Sequence, residues 1–246
     1  GDHRDLHLSL RRQRQMCIRD REAMWAVRDT LPEGAVVFSA GSHYSWKRIC
    51  SILGVKDWVE LPVDRSFRMD LDELEKVLRD RPVSMVVANL GTTGTGSVDS
   101  LPDILRLRDR YGFHLHVDAA YGGYGRSLIL SPDGTLRTYE VVEDLLSPET
   151  YHSLRALSEA DSVTIDPHKH GLVMYGAGGI IFKEEKFRST ILNTAPYTYH
   201  VKERPNIGMF TLEGSRPGAA AAAVWFTHRL CPLHSAGIGA ILGETI

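Results

Sequence analysis

The sequence has few cysteines, no long apolar segment and little net charge. Its cysteines are Cys17, Cys50 and Cys231, too few and too scattered for a disulfide framework or a Cys-x-x-Cys metal site. Unpaired thiols are typical of a reducing compartment, and we therefore expect a cytoplasmic protein. No segment approaches the roughly 20 consecutive apolar residues of a membrane-spanning helix, so we expect no membrane association.

The small net charge also excludes one class of partner. The formal charge is −2 over 246 residues, so the chain lacks the basic field that attracts nucleic acid. With 43% hydrophobic and 24% charged residues, the composition is that of a globular protein with one sizeable core. We therefore expect a small-molecule ligand.

Five short runs rich in Val, Ile and Phe are bounded by Gly, Pro or Asp and predict buried strands. They span residues 34–40, 82–89, 112–118, 162–166 and 178–183. Helical segments lie between several of these runs. This alternation indicates an α/β fold in which a mostly parallel sheet is flanked by helices.

Capping residues mark the ends of the predicted helices. Asp70, Ser100 and Ser147 each precede a helical segment as an N-cap residue does. The helical segment that follows His43 runs to Gly54, which is suited to be its C-terminal cap. The alanine run at residues 219–223 predicts a further helix.

Each of the first four predicted strands runs into polar side chains at its carboxyl end. These are Ser42 and His43 after the first strand, Thr92 and Thr93 after the second, Asp118 after the third, and Asp166, His168 and Lys169 after the fourth. In an open α/β sheet, ligands bind outside the carboxyl ends of the strands. We therefore expect these clusters to line one crevice.

Each cluster alone also fits a structural role. The GTTGTG stretch lacks the Gly-Lys-Ser/Thr ending of a nucleotide-binding P-loop. His114 and His116 share one face of a strand at a spacing that some zinc sites use, yet no third ligand has a suitable spacing. Hydrogen-bonded core histidines are the commoner alternative, and we predict no metal site. Asp118 alone fits a helix cap, and Lys169 alone fits a snorkelling side chain.

Together, the clusters indicate a specific chemistry. A neutral lysine amine in a crevice is the nucleophile that forms a Schiff base with an aldehyde cofactor. A carboxylate from an adjacent strand keeps a pyridine nitrogen protonated, since such a charge pair at about 4 Å is worth roughly 4 kcal/mol. Lys169 and Asp118 are thus suited to pyridoxal 5'-phosphate, whose protonated ring accepts electrons.

Five blocks of the sequence resemble a known family. They read SHYSWKRICSILGV, NLGTTGTGSVD, HVDAAYGG, DSVTIDPHKHG and LEGSRPGAAAAAVW. In this order they resemble the group II pyridoxal-phosphate-dependent amino-acid decarboxylases, which include the aromatic-amino-acid, tyrosine, glutamate and histidine enzymes. The likeness covers residues 22–246 and implies the large domain of a fold type I pyridoxal-phosphate enzyme.

The resemblance implies roles for individual residues. Lys169 would hold the cofactor covalently, and Asp118 would pair with its ring nitrogen. His43 would stack on one face of the ring while Ala120 packs against the other. Thr93 and His168 would line the cofactor pocket, and Asp166 would lie on its phosphate side. Ser215 would lie near the cofactor phosphate of a neighbouring subunit. Because family members have active sites at a subunit interface, we expect a homodimer.

The implied activity is decarboxylation of an L-amino acid, with a tyrosine-like substrate favoured over glutamate or aspartate. His43 and His168 are candidate catalytic residues, and Tyr199 is preferred to Tyr197 as the acid that protonates the α-carbon. The alternative is that both tyrosines only pack their loop, and His170 is interpreted as a packed turn residue. A carbon-carbon lyase of the sphingosine-phosphate lyase type and a cofactor-binding homologue without turnover remain alternatives.

The amino-terminal segment does not fit the family. Residues 11–21 are rich in arginine, where the resemblance implies a phosphate-binding segment rich in serine and glycine. Residues 16–21 resemble the translation of a sequencing adapter, and a frayed basic helix or a transit peptide are alternatives. We expect residues 1–21 to be non-native or disordered and residues 22–246 to be a partial large domain that lacks the small carboxyl-terminal domain. We therefore expect the isolated chain to bind the cofactor poorly.

Overall fold

A computed structural model describes residues 18–192, 207–210 and 218–245 of the chain. The strands are β1 (Ala35–Ser39), β2 (Trp58–Leu61), β3 (Val83–Asn89), β4 (His114–Asp118), β5 (Ser162–Ile165) and β6 (Gly179–Phe182). The α-helices are α1 (Ile18–Thr30), α2 (Ser45–Leu53), α3 (Leu71–Asp80), α4 (Leu101–Tyr111), α5 (Pro148–Ala156), α6 (Glu185–Thr190), α7 (Ala219–Leu230) and α8 (Ile238–Gly243). Short 3-10 helices span Gly122–Ile129, Tyr139–Val141, Leu157–Glu159 and Ile207–Phe210. Within these ranges, no helix is both long and apolar enough to cross a membrane.

The strands form one sheet in the order β2-β1-β3-β4-β5-β6. Strands β1 to β5 pair in parallel, and β6 pairs antiparallel with β5. The predicted α/β fold with a mostly parallel sheet is therefore confirmed. No apolar run predicts β2, because this edge strand buries only Leu61 and leaves Trp58 and Glu60 exposed.

The chain reverses its course across the sheet after β2. Strand β1 pairs with β2 on one side and with β3 on the other, so the connection from β2 to β3 passes β1. The carboxyl ends of β1 and β3 therefore form a topological switch point, where open α/β sheets bind ligands. The register of the next strands places three polar residues side by side at the same edge, because Asn89 pairs with Asp118 and Asp118 pairs with Thr164.

Helices cover both faces of the sheet. One face packs against α1, α2 and α6 around a core that includes Met24, Trp46 and Phe187. The other face packs against α3, α4, α5 and α8 around a core that includes Leu74 and Ile104. The two apolar layers explain why β3 and β4 are buried almost throughout their length, as a sheet covered on both faces requires.

Local sequence signals fix several helix ends. The Asp70 carboxylate accepts hydrogen bonds of 3.0 and 3.1 Å from two N–H groups in the first turn of α3. The Ser147 hydroxyl accepts one of 3.2 Å at the start of α5. Gly54 ends α2 with a φ of 68°, a left-handed conformation that favours glycine. These caps and the helix over the alanine run are as the sequence predicts. The Ser100 hydroxyl instead donates to the Asp103 carboxylate.

The two histidines of β4 belong to a buried hydrogen-bond network. The Ser162 hydroxyl lies 2.8 Å from His114 Nε2 and 2.8 Å from His116 Nδ1, and Thr164 Oγ1 lies 3.2 Å from His116 Nε2. Burial lowers the pKa of His114 to about 4 and that of His116 to about 3. In the described part of the chain, no group of three or more His, Cys, Asp or Glu side chains could hold a metal ion.

We predict that these neutral imidazoles make the fold acid-sensitive. Their folded-state pKa values lie below the ordinary value of 6.5, so the unfolded chain takes up protons first as the pH falls. The stability they support is present above about pH 6.5 and is lost progressively toward the folded-state values. The free energy of unfolding in urea should therefore fall between about pH 7 and about pH 5, and it should fall less in His116→Gln. The control is His152→Gln, at an exposed position, and an equal fall in wild type and His116→Gln would contradict the prediction.

Candidate active site

A cavity of about 360 Å³ opens at the carboxyl edge of the sheet. Seven of the predicted site residues line it: His43, Thr93, Asp118, Ala120, Asp166, His168 and Lys169. They come from the segments that follow β1, β3, β4 and β5, so the structure brings together the clusters that the strand-end rule selects. Tyr197, Tyr199 and Ser215 lie outside the described residues.

Lys169 reaches the cavity from a tight turn after β5. Its N–H donates to the Asp166 carbonyl at 2.9 Å, and its Nζ lies 3.2 Å from Asp166 Oδ2. The side chain is 38% exposed, so the amine remains accessible from the cavity. Asp166 is far more buried, with 8% of its side chain exposed. The turn therefore presents an accessible amine beside a buried carboxylate.

Gly171 is required by the packing of this turn. A Cβ at this position would lie 2.4 Å from the ring and hydroxyl of Tyr124 and 2.7 Å from the Pro167 backbone. Tyr124 is buried with 3% exposure, so it has little room to move away. The glycine at the end of DPHKHG therefore lets the lysine turn pack closely against the 3-10 helix.

Asp118 is held at both carboxylate oxygens. Its Oδ1 accepts a hydrogen bond of 3.2 Å from the Ala120 N–H, and its Oδ2 accepts one of 3.1 Å from Trp46 Nε1. Because the side chain still lines the cavity, the carboxylate is available to a ligand in a fixed orientation.

His43 lies in the segment that connects β1 to α2, just before that helix begins. Its Nδ1 accepts a hydrogen bond of 3.3 Å from the Ser45 N–H and lies 2.7 Å from Ser45 Oγ. In the neutral imidazole the proton is therefore on Nε2. Burial lowers the pKa of His43, while the negative charge of Asp118 opposes that shift. The neutral ring is thus fixed in one tautomer.

The two histidines that flank Lys169 have different surroundings. His168 lines the cavity, with its Nε2 3.6 Å from Asp166 Oδ2 and its Nδ1 bonded to the Ala177 carbonyl. His170 bonds through Nδ1 to the Tyr121 carbonyl at 2.9 Å and packs on the Tyr121 ring. These are contacts of a packed turn residue, and His170 does not line the cavity.

The cavity also contains residues that the sequence did not single out. Asn89 lines it and donates hydrogen bonds of 3.0 Å to Ser42 Oγ and to the buried carboxylate of Asp99. Thr164 and Tyr121 line it as well. Asn89 is the last residue of β3, so the same strand-end rule would have found it.

Arg19 and Asp20, in the first turn of α1, also lie in the cavity. The Arg19 guanidinium pairs with the Asp166 carboxylate. Arg19 Nε and Asp20 Oδ1 are buried without a hydrogen-bond partner, the only such side-chain atoms in the described ranges. Burial first, and then the negative charge of Asp118, raises the pKa of Asp20 to about 8.

The structure brings an amine and a carboxylate together in one cavity at the carboxyl edge of a mostly parallel sheet, the arrangement expected of the large domain of a fold type I pyridoxal-phosphate enzyme. The family model of the pyridoxal-dependent decarboxylase conserved domain matches residues 7–139 and 143–234. The chain belongs to this family, and the resemblance seen in its sequence is confirmed.

Similar proteins agree with this assignment. The chain is 43% identical over 230 residues to an L-tyrosine decarboxylase of Enterococcus faecium, a match that covers 83% of this chain and 38% of the relative. It is 38% identical over 191 residues to an L-aspartate decarboxylase of Thermococcus kodakarensis, covering 77% and 44%. The solved structure of Oryza sativa TDC with PLP and tryptamine matches with a TM-score of 0.70 at 19% identity, covering 92% and 47%, which shows the fold alone. The chain therefore spans less than half the length of these relatives.

The cavity fits the pyridoxal cofactor that the family name implies, with one exception. Lys169 offers an accessible amine, Asp118 offers an oriented carboxylate, and His43 and Ala120 line the same cavity. The exception is Asp20, because its carboxyl adds a third acidic group beside Asp118 and Asp166. An anionic phosphate is disfavoured near such a cluster once the Asp20 carboxyl ionises, above its raised pKa of about 8.

We predict that Asp20 destabilises the fold and opposes cofactor binding. A carboxyl whose folded-state pKa is raised from 3.8 to about 8 costs stability progressively as the pH rises between these two values. The variant Asp20→Asn should therefore raise the free energy of unfolding more at about pH 8 than at about pH 5. Above about pH 8, where the Asp20 carboxyl is ionised, the variant should also lower the dissociation constant of added pyridoxal phosphate, measured by absorbance. The control Asp80→Asn, at a position with 78% side-chain exposure, should change neither quantity, and a weaker or unchanged affinity in Asp20→Asn would refute the prediction.

Proposed function

We propose that the protein decarboxylates an L-amino acid with an aromatic, tyrosine-like side chain, using pyridoxal 5'-phosphate. The observation that carries this proposal is the convergence of Lys169 and Asp118 in one cavity, in a chain that is 43% identical to a tyrosine decarboxylase. When bound, the cofactor supplies an electron sink for the bond to the departing carboxylate. The protein supplies the orientation and the proton chemistry.

Each cavity residue has a proposed task. Lys169 holds the cofactor covalently through Nζ, and the fixed carboxylate of Asp118 pairs with the ring nitrogen. His43 and Ala120 hold the ring from its two faces, and Thr93 closes the cavity at the edge that follows β3. Asp166 lies at the phosphate side, beside Lys169, and His168, whose Nδ1–H donates to the Ala177 carbonyl, presents Nε2 to the cofactor or the substrate.

Two tasks fall to residues outside the described ranges. We assign the proton that is delivered to the substrate α-carbon to Tyr199, as the family resemblance implies, because a phenol is a suitable acid. We assign contact with the phosphate of a neighbouring subunit to Ser215, in a cytoplasmic homodimer with its active sites at the interface.

The domain organisation is also a proposal. We propose that residues 22–246 represent part of the large domain and that residues 1–21 are a non-native or disordered segment, although the family model already matches from residue 7. The unpartnered Arg19 Nε and Asp20 Oδ1 support the second point, because native structures rarely bury polar atoms without a hydrogen bond. The experiments below therefore use the full-length gene product.

Borohydride reduction tests the attachment of the cofactor. Reduction of the full-length holoenzyme should fix a pyridoxyl group on the peptide that contains Lys169, as detected by mass spectrometry. The variant Lys169→Ala should show no such adduct and no carbon dioxide release, while Lys183→Ala, at an exposed lysine beyond the cavity, should behave as wild type. An adduct on another lysine would overturn the assignment.

Activity measurements with several substrates distinguish the proposed function from its alternatives. With L-tyrosine, L-phenylalanine, L-aspartate and L-glutamate as substrates, carbon dioxide release should show the highest kcat/KM for L-tyrosine. Aspartate is the second candidate, because the chain is 38% identical to an aspartate decarboxylase. Retro-aldol cleavage of a phosphorylated amino alcohol without decarboxylation would instead indicate the carbon-carbon lyase. A holoenzyme with an intact pyridoxyl attachment and no turnover would indicate a cofactor-binding homologue.

A further inference from the structure

The indole of Trp46 contacts the cavity-lining residue Asp118, although Trp46 itself does not line the cavity. Trp46 is fully buried in the second position of α2, and its Nε1 donates to Asp118 Oδ2 at 3.1 Å. The other Asp118 oxygen accepts the Ala120 N–H at 3.2 Å. The carboxylate is therefore held from two directions, once by backbone and once by this indole.

The indole is itself fixed by the buried network on β4 and β5. Its ring packs edge-on against His116, with ring centroids 5.3 Å apart and an interplanar angle of 61°. The imidazole of His116 is held at both nitrogens, by the hydroxyls of Ser162 and Thr164. Because each side chain in this series is buried, Trp46 has no space in which to rotate away from Asp118.

The same short stretch of sequence, HYSW, supplies both His43 and Trp46. His43 lines the cavity just before α2, and Trp46 is the second residue of that helix. One helix start thus presents an imidazole to the cavity and an indole N–H to the carboxylate on the neighbouring wall.

We propose that Trp46 is a positioning residue for Asp118, which it holds in the orientation that pairs with the cofactor ring nitrogen. The proposal depends on the proposed function, since Asp118 matters in this way only if pyridoxal phosphate binds. A hydrogen bond to a charged group is among the stronger ones in proteins. Without the indole donor, the carboxylate can rotate about its terminal torsion, and its interaction with the ring nitrogen weakens.

The test compares Trp46→Phe with Trp58→Phe in the full-length protein. Phenylalanine keeps an aromatic ring at position 46 and removes the N–H donor. Trp58 lies on edge strand β2 and stacks on Phe38, so its variant controls for the loss of a tryptophan. The measurements are the visible absorption spectrum of bound pyridoxal phosphate across pH, its dissociation constant, and kcat and KM with L-tyrosine.

The Trp46→Phe variant should show an altered pH dependence of the cofactor spectrum, a dissociation constant raised about tenfold or more, and a lower kcat with little change in KM. The Trp58→Phe variant should match wild type in all four measurements. If Trp46→Phe does not fold, Trp46 can be replaced by its benzothiophene isostere, which keeps the shape and lacks the N–H. A wild-type spectrum and affinity in either of these position-46 variants would overturn the inference.

The outcome for Trp46 can be distinguished from failure of the proposed function. If the wild-type protein forms no borohydride-reducible adduct at Lys169, the proposed function fails and the role of Trp46 fails with it. If wild type forms the adduct and the position-46 variants are unaffected, only the role of Trp46 is refuted.

Discussion

The parallel register of β3, β4 and β5 is the constraint on which the site depends. It places Asn89, Asp118 and Thr164 side by side at one edge of the sheet, on strands about 4.8 Å apart. Side chains alternate between the two faces of a strand, so a slip of one residue would turn Asp118 away from Trp46 and toward the opposite apolar layer. That layer contains Leu115 and Val117. The apolar pattern of β4 therefore specifies the face on which its terminal carboxylate lies.

The polar network below the site must remain uncharged for the carboxylate to serve a ligand. His116 lies on the same face of β4 as Asp118, and burial keeps its imidazole neutral at physiological pH. A cation at that position would compete with a ligand for the Asp118 carboxylate. The hydroxyls of Ser162 and Thr164 satisfy both imidazole nitrogens without adding charge. The network therefore orients the indole of Trp46 and leaves the electrostatic field of Asp118 to act in the cavity.

The sequence predicted those features that depend on local patterns. Buried strands with continuous apolar runs and helices with capping residues were found, as was the convergence of His43, Asp118 and Lys169 at strand ends. Strand β2 was not found, because an exposed edge strand has no apolar run to reveal it. The role of Trp46 could not be predicted from pattern, because a tryptophan in an amphipathic helix is ordinarily a core residue and its partner lies 72 positions away. Tertiary contacts of that kind have no local signal.

The charge balance of the cavity explains why the amino-terminal turn conflicts with the rest of the site. Asp118 and Asp166 are present with Lys169 and the half-buried His43, a set that an incoming ring cation and phosphate anion can complete. Asp20 adds a carboxyl with an unpartnered oxygen, and Arg19, which pairs with Asp166, offsets the raised pKa of Asp20 only in part. A buried acid without a full set of donors is retained only at a cost in folding free energy. The contacts of the other cavity residues are compatible with binding a ring cation and a phosphate anion. The first turn of α1 instead adds an acidic group, which disfavours the phosphate.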